Sequence, residues 1–74
     1  MAESDLKNQI RRLRFENDEM SQQDLAEKVG CTRQTIIAIE QAKYNPSLGL
    51  AFKIARVFGK KVEDVFLYNE ESTK

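Results

Sequence analysis

Apolar residues recur at spacings of three and four positions along most of the chain, which is the periodicity of amphipathic helices. The first run consists of Leu6, Ile10 and Leu13. It predicts a helix whose N-cap is Ser4 or Asp5 and which ends in the polar stretch 16–19.

The second and third predicted helices are separated by a very short turn. Ser21 and Thr32 are good N-caps, and Gly30 suits the positive φ with which a chain commonly leaves a helix. The inward positions follow in register: Leu25, Ala26, Val29, Ile36 and Ile39. The small Ala26 lets the two helices cross closely, and Cys31 is small enough to pack beneath the turn. Two short helices joined in this way are typical of a helix-turn-helix.

Two more helices follow after a loop that contains Pro46. Ser47 is the predicted N-cap of the fourth helix, and Gly59 ends it. Its inward positions are Ala51, Ile54, Ala55 and Phe58. A fifth helix is predicted over residues 62–68, with Val62, Val65 and Phe66 directed inward. Since no segment alternates like a strand, the predicted fold is all-α, a compact arrangement of five helices.

Length and composition fit one small domain. The chain has 74 residues, of which 41% are hydrophobic and 32% charged. A chain of this size buries only about 60% of its unfolded surface, and oligomerisation is one way to enlarge such a core. We predict the domain over residues 6–68, between a flexible N-terminus (1–5) and a polar tail (69–74).

Charge and residue types exclude several function classes. Twelve basic residues balance twelve acidic ones, which argues against a non-specific nucleic-acid binder that depends on a global positive field. Without His and with one Cys, the chain lacks the ligands of a Cys/His zinc site and cannot form an internal disulfide. We find no catalytic pair and no phosphate-binding Gly loop, so neither an enzyme nor a cofactor is predicted. With no membrane-spanning run and no signal peptide, we predict a cytoplasmic protein without a membrane partner.

The outer face of the third helix carries the candidate chemistry. Because Ile36 and Ile39 face inward, helix geometry turns the other side to solvent. That side presents Thr32, Arg33, Gln34, Ile37, Ala38 and Gln41. Arg33 places a positive charge at the positive end of the helix dipole, which is favourable only if an anion binds there. The alternative is an ordinary pair of packed helices without a ligand.

The segment 21–40, SQQDLAEKVGCTRQTIIAIE, resembles the helix-turn-helix of the lambdoid phage repressor and Cro family, also called the xenobiotic-response-element family. The resemblance extends over about residues 6–66 and is strongest to compact single-domain regulators. It implies a transcriptional regulator, most simply a repressor, that binds a palindromic operator in double-stranded DNA as a homodimer. An antitoxin that neutralises a partner protein and regulates its own operon is the alternative. No small-molecule effector is predicted.

The resemblance also implies roles for individual residues. The predicted base contacts are Arg33 to guanine, Gln34 to adenine, and Thr35, Ile37 and Ala38. The predicted phosphate contacts are Gln22, Thr32, Gln41, Lys43, Tyr44 and Asn45. Alternatives stay open for three residues: Ile37 could flank the core, Tyr44 could anchor the loop on the fourth helix, and Lys43 could simply be solvated.

An ion pair between the first and third helices is implied as well. In the family an Arg of the first helix meets the Glu near the end of the third, here Arg14 and Glu40. The stretch 14–20 is one residue longer than the common family spacing, so a bulged loop is expected and Arg11 is an alternative partner of Glu40. Otherwise we assign Arg11 and Arg12 to the solvated side of the first helix, the alternative being that they are additional phosphate ligands.

A dimer is expected because one reading helix offers too few contacts for the affinity of a specific binder. The predicted interface contains Val65, Leu67 and Tyr68, which exceed what the short last helix needs for its own core. Phe52 of the fourth helix is predicted to project beside them. An alternative is that residues 66–69 pair as a short strand across the two-fold axis.

Overall fold

The computed structural model describes residues 6–68, which form five helices and one two-stranded antiparallel sheet. In chain order the elements are β1 (Leu6–Asn8), α1 (Ile10–Glu16), α2 (Gln22–Val29), α3 (Arg33–Glu40), α4 (Leu48–Val57), α5 (Val62–Val65) and β2 (Phe66–Tyr68). The number of helices is as predicted, but the sheet means that the domain is not all-α. No helix in the described part of the chain combines the length and apolar character needed to cross a bilayer.

Three helices begin where the sequence predicts, because a hydroxyl side chain accepts a hydrogen bond from the first helical turn. The acceptors and donors are Ser21 from the N–H of Asp24 (2.9 Å), Thr32 from Thr35 (3.2 Å) and Ser47 from Leu50 (3.1 Å). Gly30 ends α2 in the left-handed conformation, with a φ of 80°, and its N–H donates to the carbonyl of Ala26 at 2.8 Å. Sequence-local chemistry therefore sets the bounds of the helix-turn-helix.

The hydrophobic core lies where α2, α3 and α4 meet, and α1, α5 and β2 close it from the sides. Its buried members are Ile10, Leu13, Leu25, Ala26, Val29, Ile36, Ile39, Ala51, Ile54, Ala55, Phe58, Val65 and Phe66. The apolar periodicity predicts that all of them face inward. Val65 is in addition predicted to lie in the dimer interface. Cys31 packs against this core beneath the turn.

The N-terminal segment is a strand where the sequence predicts the first turn of a helix. β1 pairs with β2 in the register Leu6 to Tyr68, Lys7 to Leu67 and Asn8 to Phe66. The helix begins only at Ile10, whose N–H donates to Oδ1 of Asn8 at 3.2 Å. An Asn side chain competes in this way with the helical hydrogen bonds of its own backbone. The proposed caps Ser4 and Asp5, like the flexible N-terminus and polar tail, lie outside the described residues.

The C-terminal helix is shorter than predicted, and one interface assignment is wrong. α5 ends at Val65, and the chain continues as a strand within the same molecule. Val65 is fully buried, with 0% of its surface exposed, so it belongs to the core and cannot also contact a second protomer. Residues 66–68 pair with β1 of the same chain along one edge of β2.

Candidate functional site

α3 is the element that carries the candidate site, and α2 holds it in place. Leu25, Ala26 and Val29 of α2 are buried together with Ile36 and Ile39 of α3. With its inner side fixed by these contacts, α3 turns Arg33, Gln34 and Gln41 to solvent and leaves Thr35, Ile37 and Ala38 partly exposed. The outer face predicted from the sequence is therefore the outer face of the folded domain.

The outer face of α3 is bordered on each side by a shallow recess. We call the first the arginine recess, lined by Arg11, Arg14, Phe15, Ser21, Gln22, Arg33, Ile37, Glu40 and Gln41. We call the second the tyrosine recess, lined by Gln34, Thr35, Ala38, Lys43 and Tyr44. Residues 33, 37 and 41 border one side and residues 34 and 38 the other, as a helix repeat of 3.6 residues requires.

The two recesses bring together nine of the eleven residues predicted to contact DNA. The remaining two, Thr32 and Asn45, are exposed but line neither recess. The hydroxyl of Thr32 is engaged as the N-cap of α3 and lies 3.0 Å from the hydroxyl of Thr35. Both hydroxyl groups are therefore already engaged in a local hydrogen bond. A ligand would have to share that bond or replace it.

An ion pair ties α1 to the end of α3. Nε of Arg14 lies 2.7 Å from Oε2 of Glu40, and Nη2 donates to Oε1 at 3.2 Å, so the pair is bidentate. The two side chains are only 13% and 9% exposed. Gln22 adds a third bond, from its amide nitrogen to Oε1 of Glu40 at 3.2 Å. Of the two partners considered for Glu40, the structure uses Arg14 and not Arg11.

The loop between α1 and α2 accommodates the additional residue as a bulge. Asp18 and Glu19 have φ values of 58° and 54°, in the left-handed region that residues other than Gly rarely adopt. Arg14 closes this loop twice, since Nη1 donates to the carbonyl of Met20 at 2.8 Å and its own carbonyl accepts from the N–H of Met20 at 2.9 Å. Arg14 therefore closes the loop and reaches Glu40 with one side chain.

The arginine recess is also bordered by two side chains of α1, Arg11 and Phe15, that the sequence does not place there. The sequence predicts that Arg11 lies on the solvated side of its helix, and it predicts no role for Phe15. Phe15 is a large apolar residue that is 58% exposed in the folded domain. Its spacing of four from Arg11 puts both on one helix face, but only the packing of α1 on α3 shows that this face adjoins Arg33.

The charges around the arginine recess leave it positive. It is lined by three arginines and one glutamate, and Glu40 is already paired with Arg14. In residues 6–68 the ion pairs are Arg12 with Glu16 and Arg14 with Glu40, so Arg11 and Arg33 are without an acidic partner there. Two uncompensated guanidinium groups with planar arrays of donors suit phosphate and the edges of guanine bases.

Cys31 lies at the turn of the helix-turn-helix and does not add to this chemistry. Burial raises the pKa of its thiol, because the thiolate is poorly solvated against the core. A raised pKa lowers the reactive thiolate fraction at neutral pH. This agrees with a packing role for Cys31.

Comparison with known proteins matches the chain over the same elements. The family model described as Helix-turn-helix matches residues 10–65. An HTH-type transcriptional regulator of Methanocaldococcus jannaschii is 53% identical over 66 residues, 89% of this chain and 98% of that protein. One of Bacillus subtilis is 49% identical over 67 residues, 90% and 100% of the two chains. The crystal structure of a hypothetical transcription factor from Neisseria superposes with a TM-score of 0.69 at 28% identity, over 86% of this chain and 72% of that one. The matched residues include both recesses.

Proposed function

Since the chain belongs to the Helix-turn-helix family and is a DNA-binding transcriptional regulator, we propose that it acts as a repressor that binds a palindromic operator as a homodimer. α3 lies in the major groove, and its first turn meets the base edges. Occupation of the operator by such a domain blocks access to an overlapping promoter, and that is sufficient for repression.

The observation that carries this proposal is the outer face of α3, where Arg33 and Gln34 stand exposed at the start of a rigidly held helix. Neither side chain has a hydrogen bond or an ion pair to another described residue. A guanidinium group can bind O6 and N7 of guanine, and an amide can bind N6 and N7 of adenine. Thr35, Ile37 and Ala38, which are partly exposed beside them, are the smaller contacts, with Ile37 suited to a thymine methyl group.

Residues at the two recesses, together with Thr32 and Asn45 outside them, supply the phosphate contacts of the proposed complex. Gln22 is held by Glu40 at the beginning of α2, where helix N–H groups favour an anion. Lys43 and Tyr44 border the other side of α3 and suit the opposite strand. Thr32, Gln41 and Asn45 complete the set. Contacts of this kind fix the register of the protein on the duplex without reading the sequence.

The homodimer is supported by apolar side chains that the domain leaves exposed. Phe52 of α4 and Leu67 and Tyr68 of β2 are each about half exposed, and Leu48, four residues before Phe52 on α4, is more so. Contact between two copies would cover these groups. A dimer would also place two α3 helices on half-sites about one turn of DNA apart, which supplies the contacts that one helix lacks.

Arg33→Ala tests whether α3 reads bases. A bound sequence is first selected from a random duplex pool with the intact protein, and a palindrome in the selected set is expected. On that duplex Arg33→Ala should lose about 1–3 kcal/mol of binding free energy and relax the preference at one base pair of each half-site. The measurement is a titration of matched duplexes that differ at single positions.

Lys60→Ala is the matched control, since Lys60 is an exposed cation after α4 and lies outside both recesses. The Lys60→Ala variant should bind with the affinity and base preferences of the wild type. If Arg33→Ala instead weakened all duplexes equally, Arg33 would be a phosphate ligand. If the wild-type protein bound no duplex even at low ionic strength, the proposed function would be wrong.

A further inference from the structure

We propose that Arg11 and Phe15 of α1 form a second contact with DNA, in which Arg11 binds a backbone phosphate and Phe15 packs on the adjoining deoxyribose. This inference rests on the proposed function, because it takes α3 to lie in the major groove. It adds an element outside the helix-turn-helix to the interface, and it adds a type of contact, apolar packing on sugar, that α3 does not provide.

The position of α1 relative to α3 is the first step of the argument. Arg14, on the same helix as Arg11 and Phe15, is fixed to Glu40 at the end of α3 by the buried bidentate pair. Arg11 and Phe15 consequently line the same recess as Arg33 and Ile37. The backbone positions of Arg11 and Phe15 are therefore set relative to α3.

The width of the groove is the second step. A helix with its side chains is about 10–12 Å across, and the major groove is about 12 Å wide, so a docked α3 fills it. A side chain on a neighbouring helix that borders the flank of α3 then meets the wall of the groove. That wall is the sugar-phosphate backbone of one strand.

Charge is the third step, and it separates Arg11 from its neighbour in the sequence. Arg12 is held by Glu16 at 3.2 Å and by the side-chain oxygen of Gln9 at 3.0 Å. Arg11 has no such partner among residues 6–68. The arginine recess has no acidic side chain apart from Glu40, and the depression on the other side of Arg11 adds only Glu16, so both nearby carboxylates are already paired with other arginines. An unpaired guanidinium group beside Arg33 favours a polyanion over an apolar or basic partner.

The exposed ring is the fourth step. Phe15 is 58% exposed and stands four residues from Arg11, on the same face of α1. Its ring separates the arginine recess from a second depression that is bordered by Asn8 and Glu16. A deoxyribose face is the apolar part of a DNA strand, and it alternates with the phosphates that Arg11 would bind. The pair therefore matches the alternating chemistry of the backbone.

The test measures binding of the full chain to two duplexes, the selected operator and an unrelated duplex of equal length, over a series of salt concentrations. Arg11→Ala should flatten the slope of log K against log salt by about 0.9 for each bound protomer, on both duplexes. Phe15→Ala should weaken binding to both duplexes about five- to tenfold and leave the slope unchanged, because it removes buried apolar area and no charge.

Arg12→Ala is the matched control for Arg11→Ala, and it should leave the slope unchanged. Because both altered side chains are exposed, Arg11→Ala and Phe15→Ala should unfold at the wild-type denaturant concentration, which separates a lost contact from a damaged fold. An unchanged slope for Arg11→Ala, or an equal change for Arg12→Ala, would overturn the inference. So would a Phe15→Ala variant that binds DNA normally but sediments differently, since that result would assign the ring to a protein partner.

Arg33→Ala, measured in the same titrations, distinguishes failure of this inference from failure of the proposed function. If Arg33→Ala alters base preference while the α1 variants bind as the wild type does, α3 reads DNA and only the α1 contact is wrong. If the wild-type protein binds neither duplex at low salt, both are wrong.

Discussion

Among single residues, Arg14 makes the widest set of connections in the domain. Its guanidinium group binds Glu40 through two nitrogens and the carbonyl of Met20 through the third. It therefore joins α1, the bulged loop and the end of α3 in one group. Because its polar atoms are largely used within the protein, we regard it chiefly as a positioning residue for α3.

Glu40→Ala should lower the free energy of unfolding by about 3 kcal/mol, because it leaves the guanidinium group of Arg14 buried without its counter-charge. The measurement is urea unfolding monitored by circular dichroism. Arg14→Met combined with Glu40→Leu should be less destabilised than Glu40→Ala alone, since no unpaired charge remains.

The exposed pair of Arg12 and Glu16 provides the comparison for that prediction. Its side chains are 71% and 53% exposed, and Glu16→Ala should change the free energy of unfolding by no more than about 0.5 kcal/mol. Equal losses for Glu16→Ala and Glu40→Ala would mean that burial does not distinguish the two pairs.

At the scale of elements, the chain leaves both α2 and α3 through a residue of positive φ, but the two residues differ. α2 ends at Gly30, which adopts a positive φ without steric cost. The chain leaves α3 through Ala42, whose φ of 59° is unfavourable for a residue with a Cβ atom. The bond from the N–H of Lys43 to the carbonyl of Ala38 at 3.0 Å closes this second turn. Strain is therefore stored between α3 and the loop of the tyrosine recess.

Ala42→Gly should raise the free energy of unfolding by about 0.5–1 kcal/mol, because the gain at positive φ exceeds the added entropy of the unfolded chain. Ala38→Gly, the same substitution inside α3, should lower it by about 1 kcal/mol. Both are measured from the urea midpoint at constant m-value. If the two substitutions had the same sign, Ala42 would not be strained.

The helices could be predicted from the sequence and the strands could not, for one physical reason. Ser21, Thr32 and Ser47 act on N–H groups three residues away, so a local pattern contains both partners of each bond. β1 is defined by hydrogen bonds to β2 at the other end of the described chain. Three residues are too few to show alternation, and the spacing of Leu6 from Ile10 fits a helix equally well.

The candidate site, too, can be predicted from the sequence only in part. The outer face of α3 follows from the periodicity of Ile36 and Ile39, and the structure confirms that orientation. The place of Arg11 and Phe15 depends on how α1 packs against α3, which is a tertiary contact. Val65 was misassigned because an apolar residue in a four-residue helix can face either the core or a partner, and only the packing decides.

At the scale of the whole molecule, the proposed dimer depends on the exposed side chains of β2, Leu67 and Tyr68. A charge can be introduced at either position without changing the core. Leu67→Glu and Tyr68→Glu should each sediment as monomers at concentrations at which the wild type is a dimer, because a carboxylate would be buried without a partner. Analytical ultracentrifugation is the measurement.

Phe15→Ala is a suitable control for sedimentation, because Phe15 is equally exposed but lies on α1. It should remain dimeric. Dimers in both glutamate variants would move the interface to another surface, such as Leu48 and Phe52, and a monomeric wild type would contradict the homodimer itself.

The pairing of β1 with β2 places the beginning and the end of the described chain side by side. Asn8, the last residue of β1, donates from its amide to the carbonyl of Ile39 at 2.8 Å, one residue before the end of α3. The two strands thus form a ribbon that is anchored to the end of α3 through Asn8. A substitution that unpairs β1 from β2 should therefore be felt at α3 as well as at the two ends of the described chain.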